Sequence, residues 1–453
     1  MLTHLQVQNF KAWRNTQAIR LAPLTVFFGS NSSGKSSINQ LLMMLKQTVQ
    51  SPDRRMALHL GDKKTVIELG TFWDVIHAHE NNERIAFELE WLSEMKVTNS
   101  NKSYLGKSIK FSSEIGLAGG ERQDLVVYQL SYQMEPSKLK VEMKREHNNL
   151  NQDKYSLTIS PSHLLSAKSA FLSHPIHFYG FPSEVTVQYE NADFVHELTL
   201  ALEQVLQDIY YLGPLREPPQ RYYIKSGENP ESVGWRGERA VEVILAAQKQ
   251  WIRAGSQTLP FEAMIAYWLK KMGLINSFEL KQIAPNRRDY EVLVKNIGTK
   301  DQVNLTDVGF GVSQVLPVLV QCFYAPPGST TILEQPEVHL HPSAQAELAD
   351  LFIEAIAAKD EKEKPHHIQL LIESHSEHFL RRLQRRIAEQ KIRAIDTAIY
   401  FCEMTSSGSI LKHLEMDDYG NIKNWPNKFF GDEVGELTAM TEAAIQRQIK
   451  SKI

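Results

Sequence analysis

Cysteine is almost missing from this chain: Cys322 and Cys402 are the only two in 453 residues. They stand far apart and without metal-ligand spacing. That excludes a disulfide scaffold and a thiolate metal site, and reads as buried thiols in a reducing compartment. No stretch approaches the roughly 18 uninterrupted apolar residues that a membrane helix needs, so a transporter carrying its own membrane domain is excluded. The opening Met1-Leu2-Thr3-His4-Leu5-Gln6-Val7 alternates like a strand and has no basic-then-apolar leader pattern. Charge of one sign is lacking too. A net charge of −3 gives the chain as a whole no pull toward nucleic acid or a membrane surface. Heptad runs and internal repeats are absent. These absences lead to the expectation of a soluble, cytoplasmic globular protein, long enough for more than one domain.

What is present is more specific. Gly29-Ser30-Asn31-Ser32-Ser33-Gly34-Lys35-Ser36 is a complete G-x-x-x-x-G-K-[ST] loop. The apolar run Leu24-Thr25-Val26-Phe27-Phe28 before it reads as a buried strand. Ser37 to Val49 after it, with Ile38, Leu41, Leu42 and Leu45, reads as an amphipathic helix. In that setting the glycines let backbone N–H groups close around phosphates, Lys35 neutralises β- and γ-phosphate charge, and Ser36 offers a hydroxyl to Mg²⁺. The loop predicts binding of ATP or GTP through Gly29 to Ser37.

Beyond the loop the pattern is strand-rich, then helical, then α/β again. Ile85 to Trp91 and Leu125 to Tyr132 alternate with period two, and the polar stretches Asn99 to Lys102 and Glu146 to Lys154 read as hairpin loops. Helices are predicted over Ala240 to Trp251 and Phe261 to Met272, a strand over Tyr290 to Val294, and a solvated charged loop over Ala357 to Pro365. Thr330-Thr331-Ile332-Leu333-Glu334 is an apolar strand ending in a carboxylate, the pattern that supports a Mg²⁺ shell beside a phosphate loop. Upstream, Gly309-Phe310-Gly311-Val312-Ser313-Gln314 places glycines and a serine at a helix start. By itself that string reads equally well as an ordinary loop. Downstream, Ile368 to Ile372 is another buried strand, followed by Glu373-Ser374-His375-Ser376.

Together these motifs resemble an ABC-type ATPase head of the SMC/RecF/OLD (overcoming lysogenisation defect) group. Gly311-Val312-Ser313-Gln314 resembles the signature motif, Glu334 to Pro342 the extended Walker B and D-loop, and His375 the switch histidine. Leu5 to Lys11 fits the first strand and turn, while Tyr211-Leu212-Gly213-Pro214-Leu215-Arg216 and Tyr419 to Pro426 resemble a prokaryotic branch of the group. The resemblance implies an α/β, bilobal ABC-type P-loop ATPase head with a β-rich insertion and a helical lid. It implies ATP and Mg²⁺ as cofactors and an ATP-sandwich homodimer. Lys35, Ser36 and Glu334 would act in cis, with Ser36 and Glu334 at the metal, and Gly311, Ser313 and Gln314 in trans. The expected divisions are 1–80 for the first ATPase lobe, 81–207 for its β-rich insertion, 208–283 for the lid and 284–453 for the second lobe.

Where the group commonly has a glutamate that polarises the attacking water, this chain has Gln335. An amide can orient a water but cannot accept its proton as a carboxylate does. Glu337 stands two residues on and is either a substitute or a surface acid. Slow hydrolysis is the expectation. His339-x-His341 and His375-x-x-His378 have spacings compatible with a metal site, against the phosphate-bonding role the resemblance gives His375. Arg381, Arg382, Arg385 and Arg386 read as a solvated helix face, with contact to nucleic acid or an acidic partner as the alternative. The stretch after His375 is short for the TOPRIM domain of OLD nucleases. The resemblance therefore implies an ATP-dependent switch or scaffold that senses phage infection and controls a separate effector such as a nuclease, as in Septu- and PARIS-type systems. The alternative is a DNA-repair ATPase of RecF type acting on DNA ends or gaps.

Overall fold

The computed structural model describes residues 1–80, 82–99, 102–119, 122–146, 154–161, 172–189, 192–426, 429 and 433–450. At its centre is a six-stranded sheet whose order is Ile209–Leu212, Thr330–Glu334, Gln369–Glu373, Leu24–Gly29, Thr397–Thr405 and Gly408–His413. The first five strands are parallel and the last is an antiparallel edge. Parallel strands are covered on both faces, so they read as continuous apolar runs rather than alternations. All residues of Thr330–Glu334 and Gln369–Glu373 are buried, as are the first five of Leu24–Gly29.

The two faces of this sheet belong to two different cores. Phe27, Ile332, Leu371 and Tyr400 point into one, with the helix Lys35–Val49 and the long antiparallel sheet of the first lobe. Val26, Leu333, Ile372 and Phe401 point into the other, with helices Ala240–Ala247, Phe261–Lys271, Phe310–Tyr324, Pro342–Ile356 and Glu377–Ala388. The sheet is thus the wall shared by both lobes.

The first-lobe sheet runs in the order Trp13–Asn15, Leu2–Phe10, Ile85–Asn99, Lys102–Gly119, Arg122–Pro136, Leu139–Glu146 and Lys154–Ser160, with Ile19–Arg20 pairing to Leu2–Phe10. Its period of two is visible in Ile85, Phe87, Leu89 and Trp91, which face the core, while Ala86, Glu88 and Glu90 face outward. Helix Phe194–Gln207 lays Val195, Leu198, Leu202 and Leu206 onto the same core. Of the two polar stretches expected as hairpin loops, residues 100–101 and 147–153 lie outside the described residues.

Several boundaries differ from the sequence reading. The region expected as a helical lid over 208–283 begins with Ile209–Leu212, which forms the edge of the central sheet beside Thr330–Glu334. The helix expected over Ala240 to Trp251 stops at Ala247. Trp251–Ala254 instead forms a hairpin with Gln257–Pro260, turning through Gly255 at φ 56. Lys359–Asp360, inside the stretch taken for a charged loop, adds a short strand to that hairpin. Such edge pairings are made by distant residues and leave no local periodicity.

Leu371 lies fully buried on the middle strand of the wall. Leu371→Ala should cost about 2–5 kcal/mol, the range for truncating a buried leucine, read from the urea unfolding midpoint. A change under about 1 kcal/mol would mean that the wall is not tightly packed there.

Candidate nucleotide site

The phosphate loop is held open by packing that only glycine tolerates. Gly29 sits at φ 147, where an added Cβ would fall 2.2 Å from the carbonyl oxygen of Cys402. Gly34 sits at φ 89, with the Trp13 ring 3.0 Å from where a Cβ would be, and the Trp13 indole N–H donates to the Gly34 carbonyl at 3.0 Å. The Ser33 hydroxyl donates back to the Ser30 carbonyl at 2.8 Å. Lys35 Nζ donates to the carbonyls of Gly29 (3.1 Å) and Ser30 (2.7 Å). Burial pulls the Lys35 pKa down, and the charge of Glu373 opposes this. The result is an open cleft of about 430 Å³ lined by Asn31 to Ser37, Lys11, Gln335, Glu373 and His375.

Three carboxylates lie beneath and beside it, and they differ in what they touch. The Ser36 hydroxyl donates to Glu373 Oε2 at 2.8 Å, and Glu373 lines the cleft. Glu334 does not line it: Asn39 Nδ2 donates to Glu334 Oε1 at 3.1 Å, and the Tyr211 hydroxyl hydrogen-bonds to its carboxylate. Glu337 accepts the backbone N–H of His375 at 2.6 Å and also stays outside the lining. Gln335 adopts a left-handed φ of 45, its N–H donates to the Glu373 carbonyl at 2.8 Å, and its side chain hydrogen-bonds to the Glu373 carboxylate. Burial raises the pKa of all three acids and pushes Glu334 up to about 7, with the charge of Glu373 adding to it. Burial, then Lys35, lowers the pKa of His375, which favours the neutral ring.

Gly311, Ser313 and Gln314 are not brought to this cleft. They begin the helix Phe310–Tyr324, where the Ser313 hydroxyl donates to the Phe310 carbonyl at 2.9 Å and Ser313 borders a different hollow with Gln220 and Tyr223. Phe310 at the helix start is 73% exposed. A Cβ on Gly311 would lie 3.2 Å from the His339 carbonyl, so the D-loop packs directly against the signature turn.

Residues 24–381 match the family described as "AAA domain, putative AbiEii toxin, Type IV TA system". The chain belongs to that family. It is a P-loop ATPase. Residues 392–440 match a second family, a protein of unknown function, DUF3696. No curated protein matches the chain. Among solved structures, an SMC head bound to the C-winged helix domain of ScpA is similar at 13% identity and TM-score 0.43, covering 91% of this chain and 97% of that one. An SMC head domain from Thermotoga maritima is similar at 10% identity and TM-score 0.39, covering 92% and 99%. The Pyrococcus furiosus Smc head bound to the C-terminal domain of ScpA is similar at 11% identity and TM-score 0.40, covering 91% and 96%.

Three residues of this AAA-family site escaped the sequence reading. In the sequence Glu373 reads only as the residue that follows a buried strand. Lys11 was quoted only as part of a turn, yet it lines the cleft and its Nζ donates to Gln40 at 2.7 Å. Arg216, quoted in a family string, is buried beside Glu334 and donates through Nη2 to the Glu334 carbonyl at 3.1 Å. The basic stripe is neutralised in the structure: Arg382 and Arg386 both pair with Asp350, Arg381 with Glu377 and Arg385 with Glu389. His341 caps the helix Pro342–Ile356 through Nδ1. Among the described residues no group of three His, Cys, Asp or Glu could hold a metal ion by itself. An ion here would also need phosphate and water oxygens, as Mg²⁺ commonly does. No helix among those residues is long and apolar enough to cross a membrane.

The raised pKa of Glu334 has a stability consequence in the nucleotide-free, metal-free protein. Between about pH 4.5 and 7 the folded chain keeps a proton that the unfolded chain has released, so stability falls as pH rises through that window. Glu334→Gln should flatten part of this fall, measured by urea midpoints at several pH values with a chelator present. An unchanged slope would mean that Glu334 is already ionised in the fold.

Proposed function

We propose that the chain is an ATP- and Mg²⁺-dependent homodimeric switch with slow turnover, which controls a separate effector during phage infection. The observation that carries the dimer is the separation of the two half-sites. Lys35, Ser36, Glu373 and His375 converge on one cleft, while Gly311 and Ser313 stand outside it at the start of the helix Phe310–Tyr324. A second copy can supply the missing half, its helix N-terminus bringing donors and partial positive charge to the γ-phosphate. The oxygen donors of Ser36 and Glu373 fit a hard cation, and Mg²⁺ bound there would neutralise phosphate charge. Slow turnover is supported by the amide at Gln335, which leaves no carboxylate at the position the resemblance assigns to the general base. Defence is supported by the family description, which names AbiEii and a type IV toxin system. The paired arginines of Glu377–Ala388 give no support to a nucleic-acid contact on that helix.

Lys35→Ala should abolish ATP binding while thermal unfolding stays cooperative, because it removes the ammonium that would meet the phosphates. Normal affinity in that variant would overturn the site. Ser313→Arg should bind ATP as the parent does, yet stay monomeric with ATP and Mg²⁺ by light scattering, since it puts a bulky charge into the closing face. Dimerisation like the parent's would remove the trans role.

A carboxylate restored by Gln335→Glu should raise the hydrolysis rate by about 10²–10⁴-fold, the usual contribution of a positioned general base. An unchanged rate, with Glu337→Gln inactive, would place the base at Glu337.

A further inference from the structure

Along the helix Glu433–Lys450 every described side chain, those of residues 438–445 and of Arg447, is exposed. Met440 is 62% and Ile445 51% exposed. A helix in a protein draws most of its stability from packing an amphipathic face, and this one has such a face. Met440, Thr441, Ala444 and Ile445 share one side at helical spacing, and the sequence extends the stripe through Val434 and Leu437 before them and Ile449 after them. The segment ahead of the helix is tied to the ATPase body. The Phe429 ring lies 4.7 Å from that of Phe401 and 5.6 Å from that of Phe28, centroid to centroid. Phe28 directly precedes Gly29 of the phosphate loop. Only four residues of chain, about 14 Å at full stretch, lead from Phe429 to Glu433, so the helix starts near the sheet edge that carries the cleft.

The order of charge along the helix says what covers it. The acids Glu433, Glu436 and Glu442 all precede the bases Arg447 and Lys450. Laid parallel on a second copy, like charges would stand level. Laid antiparallel, about a two-fold axis between positions 441 and 442, position 436 comes level with 447 of the second copy, 433 with 450 and 434 with 449, each twice by symmetry. Positions 436 and 447 are eleven residues apart, about three turns at 3.6 residues each. They therefore border the stripe on the same flank, and antiparallel helices bring like flanks together. Charges at such a rim set direction and register, while the apolar stripe supplies the attraction.

We propose that these helices of two copies pair antiparallel in the ATP-bound dimer and hold it closed. The inference rests on the ATP-sandwich reading and adds a second contact to it. One pair of 18-residue helices, each about 27 Å long, is short of the roughly 1,200–2,000 Å² that a stable interface buries. The pair therefore does not join two copies without nucleotide. Once ATP has brought the copies together, the helices meet at high effective concentration and lengthen the life of the closed state.

The test is the dissociation constant of the ATP- and Mg²⁺-dependent dimer, measured on the full chain by analytical ultracentrifugation. Met440→Glu combined with Ile445→Glu should raise it by about 10²–10⁴-fold, the gain that a linked second contact gives, while each subunit binds ATP as before. Glu436→Arg and Arg447→Glu should each raise it by about 3–10-fold, as expected for an exposed ion pair made twice, and the two changes together should restore the parent value. Direction is read by oxidative cross-linking, against a low background because Cys322 and Cys402 are both buried. Thr441→Cys, beside the two-fold axis, should link two copies only with ATP and Mg²⁺, and Leu437→Cys should not. A parent-like dissociation constant in the double glutamate variant, which is the outcome if the helix covers an effector instead, would overturn the pairing. Cross-linking through Leu437→Cys as readily as through Thr441→Cys would overturn its antiparallel register. If the parent forms no dimer with ATP, the sandwich reading falls and this inference with it. A normal dimer in the parent and in every helix variant sinks only the inference.

Discussion

The arrangement on which the site depends is the parallel pairing of Leu24–Gly29 between Gln369–Glu373 and Thr397–Thr405. Parallel strands end on the same side, so their last residues meet at one edge of the sheet, where ligands of open α/β sheets bind. Here that edge gathers the loop from Gly29, the carboxylate of Glu373 and the backbone of Cys402. Cys402 pairs with Gly29 closely enough that its carbonyl would touch a Cβ there. The glycine requirement and the placement of Glu373 are consequences of the same pairing. Its stability comes from the two cores pressed against the sheet, since each strand sends alternate side chains into each.

A second constraint joins this edge to the signature turn. The segment from Gln335 to His339 holds two left-handed non-glycine residues, at φ 45 and φ 63. Such residues cost on the order of 1–3 kcal/mol each and persist only where the surroundings hold them. The Gln335 N–H is held by the Glu373 carbonyl, the Glu337 carboxylate by the His375 N–H, and the His339 carbonyl lies against Gly311. One short segment therefore touches the cleft carboxylate, the histidine loop and the helix start that a second copy would use.

What could be read from the sequence followed how local each signal was. The phosphate loop, its strand and its helix are contiguous, and the structure gathers Asn31 to Ser37 along one cleft. Thr330–Glu334 and Gln369–Glu373 were legible as short apolar runs between turn signals. Their order in the sheet was not, because pairing between residues far apart in the chain leaves no trace in either run. Hence Glu334 is legible from its motif as an acid near the phosphate loop, while Glu373, an acid of the same type at the end of a similar strand, is not. The hairpin Trp251–Ala254 with Gln257–Pro260 was hidden by the apolar helix just before it. Arg382 and Arg386 read as part of a basic stripe because their partners Glu347 and Asp350 lie on another helix.

The buried charges set the electrostatics of the site. Glu334, Glu337 and Glu373 are all nearly inaccessible, and the cations among them are Lys35 and Arg216, which are buried as well. Arg216 spends one N–H on the Glu334 carbonyl, and burial lowers its pKa to about 10, so it remains charged at neutral pH. A buried carboxylate resists ionisation, and burial is the first cause of the upward shift of all three acids, with the charge of Glu373 adding to it at Glu334 and Glu337. A divalent cation beside Glu373 would reverse this balance and lower those pKa values, because a bound ion is the largest local charge in such a site.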